Sequence, residues 1–266
     1  MSTPFDKVIE EIKARGYHNH RLDEHSDTVS NGILHDLLAR CKPLRRDFDS
    51  GEVRSWLNHQ TPGARGRLSD LMVAEANHDG SPNLDKLRIF IENKSVITAH
   101  RNRDARFDDL NQALEDIHRV RAEAVLVATV MVGLADRVLN VPDGVKKRYR
   151  KNPGEFEKVV LPRLSSGDQS LWDEFEDAVS TNKADDPRKT VEKFRQLRTR
   201  EPGLTHKVGY DYVLLAPVHI DNVNPPSVPR ANLLGIDLDR AYLAMLEQIC
   251  KAYRTRGSGR FSILIR

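Results

Sequence analysis

The chain has 266 residues, of which 39% are hydrophobic and 30% are charged, so it can bury a sizeable core and still present a polar surface. Its formal net charge of +3 is too small to indicate a polyanion partner by total charge alone. No run of about 18 apolar residues occurs, and the N-terminus lacks the pattern of a signal peptide. We therefore expect a cytoplasmic protein with no membrane partner. Its two cysteines, Cys41 and Cys250, are expected to be reduced thiols.

The N-terminal half of the chain predicts helices followed by strands. Three segments have apolar residues at helical spacing and predict helices: 3–15, 28–41 and 51–59. Two strands are predicted over 67–75 and 87–94, joined by a stretch dense in turn residues. A charged amphipathic helix over 106–120 then leads into a β-branched apolar strand over 124–134 that is buried on both faces. This order favours an α/β fold with a mixed β-sheet core flanked by helices.

The C-terminal half is richer in charge. Residues 142–202 predict a helical insertion on the surface, and two parts of it have helical apolar spacing: 173–179 and 190–197. Strand character returns over 208–218, a last helix is predicted over 237–253, and 261–265 is expected to form an edge strand. We interpret the whole chain as a single domain with three parts: a core at about 28–135, the insertion at 142–202 and a C-terminal strand and helix within 208–266.

Three charged residues on the two N-terminal strands point to chemistry. Glu92 and Lys94 end an apolar strand and project from one side of it, because strand side chains alternate between faces. If the two strands pair, Asp70 lies beside them and completes a cluster of two carboxylates and one ammonium. Carboxylate oxygens are hard ligands suited to Mg²⁺, and a nearby lysine can orient water or stabilise charge on a phosphate. The plain alternative is a surface hairpin with a Glu92–Lys94 salt bridge worth under about 1 kcal/mol.

The pattern Asp70…Glu92-Asn93-Lys94 resembles the PD-(D/E)XK nuclease superfamily, the fold of many restriction endonucleases, whose element order is helix, three strands, helix, strand. The resemblance covers about 34–134 and implies a restriction-endonuclease-like fold. It makes Asp70 and Glu92 the metal ligands and Lys94 the catalytic lysine. One departure is Ser69, which stands where the name-giving pattern has proline; that position varies in the family.

Other residues are candidates for supporting roles. The superfamily often adds an acidic residue from a preceding helix, and Asp36 is the candidate for this further metal ligand, with Glu52 behind it. Gln112, on the helix after the motif, is a candidate polar helper or an exposed helix residue. Five basic residues flank the two strands and are candidates for contacts with DNA phosphates, or for simple solvation: Arg65, Arg67, His100, Arg101 and Arg103.

The resulting hypothesis is a Mg²⁺-dependent DNA endonuclease, with Mn²⁺ able to substitute, that leaves a 5′-phosphate as the resemblance implies. Double-strand cleavage needs two active sites, so a homodimer on double-stranded DNA is expected, in a restriction or phage-defence setting with a possible companion methyltransferase. Two alternatives stay open. One is a repair, recombination or RNA-directed nuclease on the same scaffold, and the other is a nucleic-acid-binding subunit without activity.

Overall fold

The computed structural model describes residues 2–15, 24–61, 68–97, 100–139, 156–174, 179–230 and 232–257. The helices are α1 (Pro4–Arg15), α2 (Glu24–Arg40), α3 (Lys42–Asp49), α4 (Arg103–Val120), α5 (Leu161–Ser165), α6 (Gln169–Glu174), α7 (Asp186–Phe194) and α8 (Leu238–Ala252). The strands are β1 (Arg54–Gln60), β2 (Leu68–Ala76), β3 (Pro82–Val96), β4 (Val125–Gly133), β5 (Arg137–Leu139), β6 (Val179–Thr181) and β7 (Tyr212–Val218). Shorter helical turns cover His100–Asn102, Phe156–Val160 and Tyr253–Gly257.

A mixed sheet organises these elements. Its strand order is β1-β2-β3-β4-β7, with β1, β2 and β3 antiparallel and with β3, β4 and β7 parallel. Helix α4 connects β3 to β4, as a parallel pair requires a crossover. Strands β5 and β6 form a separate antiparallel pair. The predicted α/β class, with a mixed sheet flanked by helices, is confirmed. In the described part of the chain, no helix combines the length and apolarity needed to traverse a bilayer.

The sheet is covered on both faces, which explains the apolar runs in its central strands. Ile91 of β3 belongs to a core that also contains Leu37 of α2 and Leu246 of α8. Its neighbour Phe90 belongs to the opposite core, together with Leu114 of α4. Successive residues of β3 therefore face different helices, and both kinds of position must be apolar. The helices fix the position of β3, the strand that carries the Glu-x-Lys motif.

The helix predicted over 51–59 was wrong, because most of this segment is strand β1. Trp56 pairs with Met72 of β2, and Leu57 pairs with Leu71. Of the apolar residues Val53, Trp56 and Leu57, only Val53 is buried. Apolar residues at 53, 56 and 57 fit helical spacing, but pairing with β2 decides the conformation. With β1 a strand, the elements from α2 to β4 include three strands in succession before α4.

The C-terminal predictions have mixed outcomes. The strand over 208–218 and the helix over 237–253 are confirmed as β7 and α8. The helix predicted over 190–197 begins earlier, since α7 starts after the N-cap Asp185. Where a helix was predicted over 173–179, the described residues belong to the end of α6 and the start of β6. The edge strand predicted over 261–265 lies outside the described residues.

The expectation of two reduced thiols was also wrong, because Cys41 and Cys250 form a disulfide. Cys41 follows α2 directly and Cys250 lies in the last turn of α8, with the two Cα atoms 5.4 Å apart. Packing of α8 on α2 brings together residues that are 209 positions apart in the chain. The bond therefore joins the end of α2 to α8, two helices that cover the same face of the sheet.

A buried ion cluster holds the junction between β7 and the chain end. Asp211 accepts hydrogen bonds from the guanidinium groups of Arg200 and Arg256, and also from the main-chain N–H of Leu126. The side chains of the two arginines and the aspartate are almost completely buried. A charge in such a place is stable only while its partners are present. The cluster therefore joins the start of β4, the start of β7 and the residues after α8.

We predict that Asp211→Ala lowers the free energy of unfolding by about 3–5 kcal/mol, because it leaves two buried guanidinium groups without their carboxylate. Chemical denaturation of the two proteins measures this difference. Glu192→Gln is the matched control, since it removes an exposed ion pair with Arg188. That control is expected to cost under about 1 kcal/mol. Equal small losses in both variants would contradict the prediction.

Candidate active site

A row of polar residues crosses the sheet at one level. The pairing of β1 with β2 sets Asn58 opposite Asp70, and the pairing of β2 with β3 sets Asp70 beside Glu92. On β3 the next residue, Asn93, pairs with Thr129 of β4. On the central strands the residues next to this level include Ile91 and Ala128, which are buried in the two cores. Polar side chains of four adjacent strands therefore meet at one level of the sheet, beside its apolar centre.

Asp70 is held at both carboxylate oxygens. Oδ2 accepts the main-chain N–H of Asn93 at 2.6 Å, and Oδ1 accepts the hydroxyl of Ser26 at 2.5 Å. Burial raises the pKa of Asp70, while the charge of Lys94 and these two hydrogen bonds act in the opposite direction. Asp70 is thus a largely buried carboxylate that is fixed in orientation and lies within the electrostatic reach of Lys94.

Glu92 and Lys94 form the second half of the cluster. They project from the same side of β3, as the alternation of strand side chains predicts, and the ammonium of Lys94 bonds to Glu92 Oε1. Glu92 is 4% exposed and Lys94 is half-buried. Asp70 and the Glu92–Lys94 pair therefore lie at the adjoining ends of β2 and β3, where Asp70 contacts the main chain of Asn93 and interacts electrostatically with Lys94. We refer to these three residues as the carboxylate–lysine cluster.

The donor set of this cluster fits Mg²⁺. Each carboxylate oxygen has two lone pairs, so the hydrogen bonds to Asp70 leave it able to coordinate a cation. A cation beside Asp70 would also favour the charged form that burial disfavours. Among the described residues, no group of three or more His, Cys, Asp or Glu side chains is arranged to hold a metal ion. Two carboxylates are sufficient for Mg²⁺, which usually keeps several waters and binds substrate phosphates.

The acidic helix residue predicted at Asp36 does not join the cluster. Asp36 lies ten residues after Ser26 on α2, about 15 Å further along the helix axis, and accepts a hydrogen bond from the hydroxyl of Tyr242 on α8. Glu52 faces Arg88, whose guanidinium lies 3.5 Å from its carboxylate. Both residues have structural partners elsewhere, which corrects their proposed role as a further metal ligand.

Asp27 is the acidic helix residue that sequence reasoning missed. It lies in the first turn of α2, where its charge contributes to raising the pKa of Asp70. Asn58 donates to Asp27 Oδ1 at 2.8 Å and has a positive φ of 50°, which asparagine tolerates better than most residues. The helix was expected to begin at Thr28, which left Asp27 outside it. A start at Glu24 brings the Ser26-Asp27 pair to the sheet.

His100 is a buried packing residue, which corrects its proposed contact with DNA. It is 1% exposed, its Nε2 lies 3.1 Å from the carbonyl oxygen of Gly133, and its Nδ1 lies 2.7 Å from Thr190 Oγ1. Because a carbonyl only accepts, Nε2 carries the proton and Nδ1 accepts from Thr190. The neutral ring thus joins α7 to the end of β4.

The remaining candidates have separate positions. Arg103 lies 3.4 Å from Asp186 at the start of α7, and Arg101 is exposed. Gln112 donates to Asp116 one turn further along α4. Arg65 and Arg67 lie outside the described residues. Three of the predicted DNA contacts lie within the described residues, and of these Arg101 is exposed, Arg103 is half-buried and His100 is buried.

Stability is expected to fall below about pH 6.5 because of His100. Burial lowers its pKa in the folded protein, so the unfolded chain takes up the proton first as the pH decreases. The stability present above the unfolded-state pKa is then lost progressively until the pH reaches the lower pKa of the folded state. Denaturation of wild type and of His100→Asn at pH 8 and pH 5.5 measures the effect. The variant should lose less stability between the two pH values, and an equal loss would contradict the role of His100.

Comparisons with protein-family models, with curated proteins and with solved structures found no match to this chain. The geometry of the carboxylate–lysine cluster is therefore the basis for the functional proposal.

Proposed function

We propose that the protein is a Mg²⁺-dependent DNA endonuclease with a restriction-endonuclease-like fold. The observation that carries the proposal is the direct bond between Asp70 and the main chain of Asn93, the middle residue of the Glu92-Asn93-Lys94 motif. The order of α2, three strands, α4 and β4 further supports it, since this is the element order of the nuclease superfamily that the sequence resembles. A plain surface hairpin does not require Asp70 to be buried at the motif.

The residues of the cluster have distinct roles in this proposal. Asp70 and Glu92 would hold the Mg²⁺ ion, which would supply Lewis acidity and neutralise charge on the scissile phosphate. Lys94 positions the attacking water and stabilises the negative charge that develops on the phosphate oxygens. The water oxygen forms the new bond to phosphorus while the bond to the 3′ oxygen breaks, which leaves a 5′-phosphate and a 3′-hydroxyl.

The arrangement of Glu92 and Lys94 suits this division of roles. Their ion pair holds the ammonium beside the cluster rather than in bulk solvent. Both side chains come from the same strand, two residues apart, so their separation is set by the backbone of β3. Asp70 comes from the adjoining strand, and its position depends on the pairing of β2 with β3. Fixed positions of this kind lower the cost of assembling the reacting groups.

The biological setting remains part of the proposal. A homodimer would supply the two active sites that double-strand cleavage needs. Restriction or phage defence, with a companion methyltransferase, is the setting that the resemblance favours, and Mn²⁺ is expected to replace Mg²⁺ because it accepts the same oxygen ligands.

Cleavage of defined substrates tests the proposed function. Purified protein is incubated with duplex DNA, branched DNA, single-stranded DNA and RNA in Mg²⁺, in Mn²⁺ and in EDTA. Metal-dependent cutting of duplex DNA supports the proposal. Preference for branched DNA would indicate repair or recombination, and cutting of RNA alone would indicate an RNA-directed nuclease. Binding of nucleic acid with no cleavage in any divalent metal would contradict the enzymatic proposal.

A further inference from the structure

The side-chain amide of Asn93 connects three elements around the candidate site. Its Nδ2 lies 2.8 Å from Ser30 Oγ, 3.1 Å from Ser26 Oγ and 3.3 Å from the main-chain oxygen of Ser26, all on α2. Its Oδ1 lies 2.7 Å from the hydroxyl of Thr129 on β4. An asparagine between Glu92 and Lys94 therefore ties the motif strand to the first turns of α2 and to the next strand.

The direction of these hydrogen bonds follows from one contact. The main-chain oxygen of Ser26 can only accept, so the Nδ2 group of Asn93 must face α2. Its Oδ1 then faces Thr129, and the hydroxyl of Thr129 must donate to it. The Asp70 carboxylate can only accept, so the Ser26 hydroxyl donates to its Oδ1 at 2.5 Å. The lone pairs of Ser26 Oγ then accept from Asn93 Nδ2, which holds the hydroxyl oxygen in place.

We propose that Asn93, with Thr129 behind it, is a positioning residue that holds the Ser26 hydroxyl as a hydrogen-bond donor to Asp70. This inference rests on the proposed function, in which Asp70 is a metal ligand. Asn93 acts on both oxygens of that ligand, because its main-chain N–H donates to Oδ2 and its side chain orients the donor to Oδ1. The carboxylate thereby keeps one orientation. Hydrogen bonds to a ligating carboxylate are a common way to fix a metal site.

Affinity of the full-length protein for Mg²⁺ alone, measured by isothermal titration calorimetry, tests the proposed effect. In Ser26→Ala the affinity should weaken about tenfold, since the Asp70 carboxylate loses the hydrogen bond that fixes Oδ1. Asn93→Ala and Thr129→Val should also weaken it, whereas Thr129→Ser, which keeps the hydroxyl that donates to Asn93, should retain the wild-type affinity.

Ser30→Ala is the matched control. Ser30 lies one turn after Ser26 and also accepts from Asn93, but it does not contact Asp70. A merely structural role for the network would weaken Mg²⁺ binding alike in Ser26→Ala and Ser30→Ala, whereas the proposal requires the loss mainly in Ser26→Ala. Wild-type affinity for Mg²⁺ in folded Ser26→Ala overturns the proposal. Wild-type affinity in folded Thr129→Val and Asn93→Ala overturns the role of those residues.

These outcomes are separable from failure of the proposed function. Mg²⁺ affinity that responds as expected in a protein that cleaves no nucleic acid would support the positioning network and contradict the nuclease. Metal-dependent cleavage with the same Mg²⁺ affinity in wild type and variants would do the reverse. Thermal melting verifies that each variant is folded, and Thr129→Ala takes the place of Thr129→Val if the latter does not fold.

Discussion

Asp70→Asn is expected to abolish metal-dependent cleavage, with a loss of about 10³-fold or more, because a neutral amide replaces a carboxylate ligand of the metal. Metal-ion stabilisation of the transition state is worth several kcal/mol, and each 1.4 kcal/mol corresponds to a factor of about ten in rate. The substitution leaves the shape of the side chain nearly unchanged. Loss of activity therefore reports on charge and metal binding rather than on packing.

The same substitution is expected to leave the free energy of unfolding unchanged or to raise it. In Asp70→Asn, Oδ1 can accept from the main chain of Asn93 while Nδ2 donates to Ser26, so both polar atoms have partners. The substitution also removes a charge whose burial raises its pKa. Wild type gains stability as the pH falls through that raised pKa, and the variant should lack this gain. Improved stability with lost activity is typical of residues retained for function.

Asp85→Asn is the matched control for this pair of measurements. Asp85 is an exposed carboxylate on β3, the motif strand itself, but lies outside the buried level of the sheet. The substitution Asp85→Asn should change neither the cleavage rate nor the midpoint of thermal unfolding by a measurable amount. A destabilised Asp70→Asn with normal cleavage would show that Asp70 is a structural residue and would contradict its role as a metal ligand.

Reduction of the Cys41–Cys250 disulfide is expected to lower the free energy of unfolding by about 3–5 kcal/mol. The bond closes a loop of 209 residues, and in the loop-entropy model stabilisation grows with the length of the closed loop. It also joins α2, which carries Ser26 and Asp27, to α8 on the same face of the sheet. Loss of the bond should therefore weaken the helix that completes the candidate site.

Chemical denaturation with and without dithiothreitol measures this effect. The variant in which both cysteines are replaced by alanine serves as the control, because the reductant has no disulfide to act on and should not shift its denaturation midpoint. The wild-type midpoint should decrease under reducing conditions towards that of the variant. Identical wild-type curves in the two conditions would contradict a stabilising disulfide.

The sequence was sufficient to predict the residues of the carboxylate–lysine cluster as neighbours. Alternation along β3 places Glu92 and Lys94 on one side, and pairing of two adjacent strands brings Asp70 beside them. These are short-range regularities that a single sequence contains. Strand β1 was misread because its apolar spacing also fits a helix, and only its pairing with β2 decides between the two.

Features that depend on contacts between distant segments were not predictable in this way. Asp27 reaches Asp70 because α2 begins before Thr28 and packs on β2 and β3. The disulfide depends on the docking of α8 against α2. His100 follows the motif strand closely in sequence, yet a buried bond to Thr190 on α7 determines its role. In each case the deciding partner comes from another part of the chain, at a separation that spacing does not reveal.

Conversion of supercoiled plasmid DNA in Mg²⁺ tests the central claim most directly, by comparison of wild type with Lys94→Ala and Lys86→Ala. Both lysines lie on β3, but Lys86 is exposed while Lys94 bonds to Glu92 at the candidate site. We predict that wild type and Lys86→Ala nick or linearise the plasmid at equal rates. Cleavage by Lys94→Ala should be slower by about 10²–10³-fold. EDTA should stop all cleavage. Equal rates for wild type and Lys94→Ala, or cleavage that persists in EDTA, would contradict a metal-dependent site built from Asp70, Glu92 and Lys94.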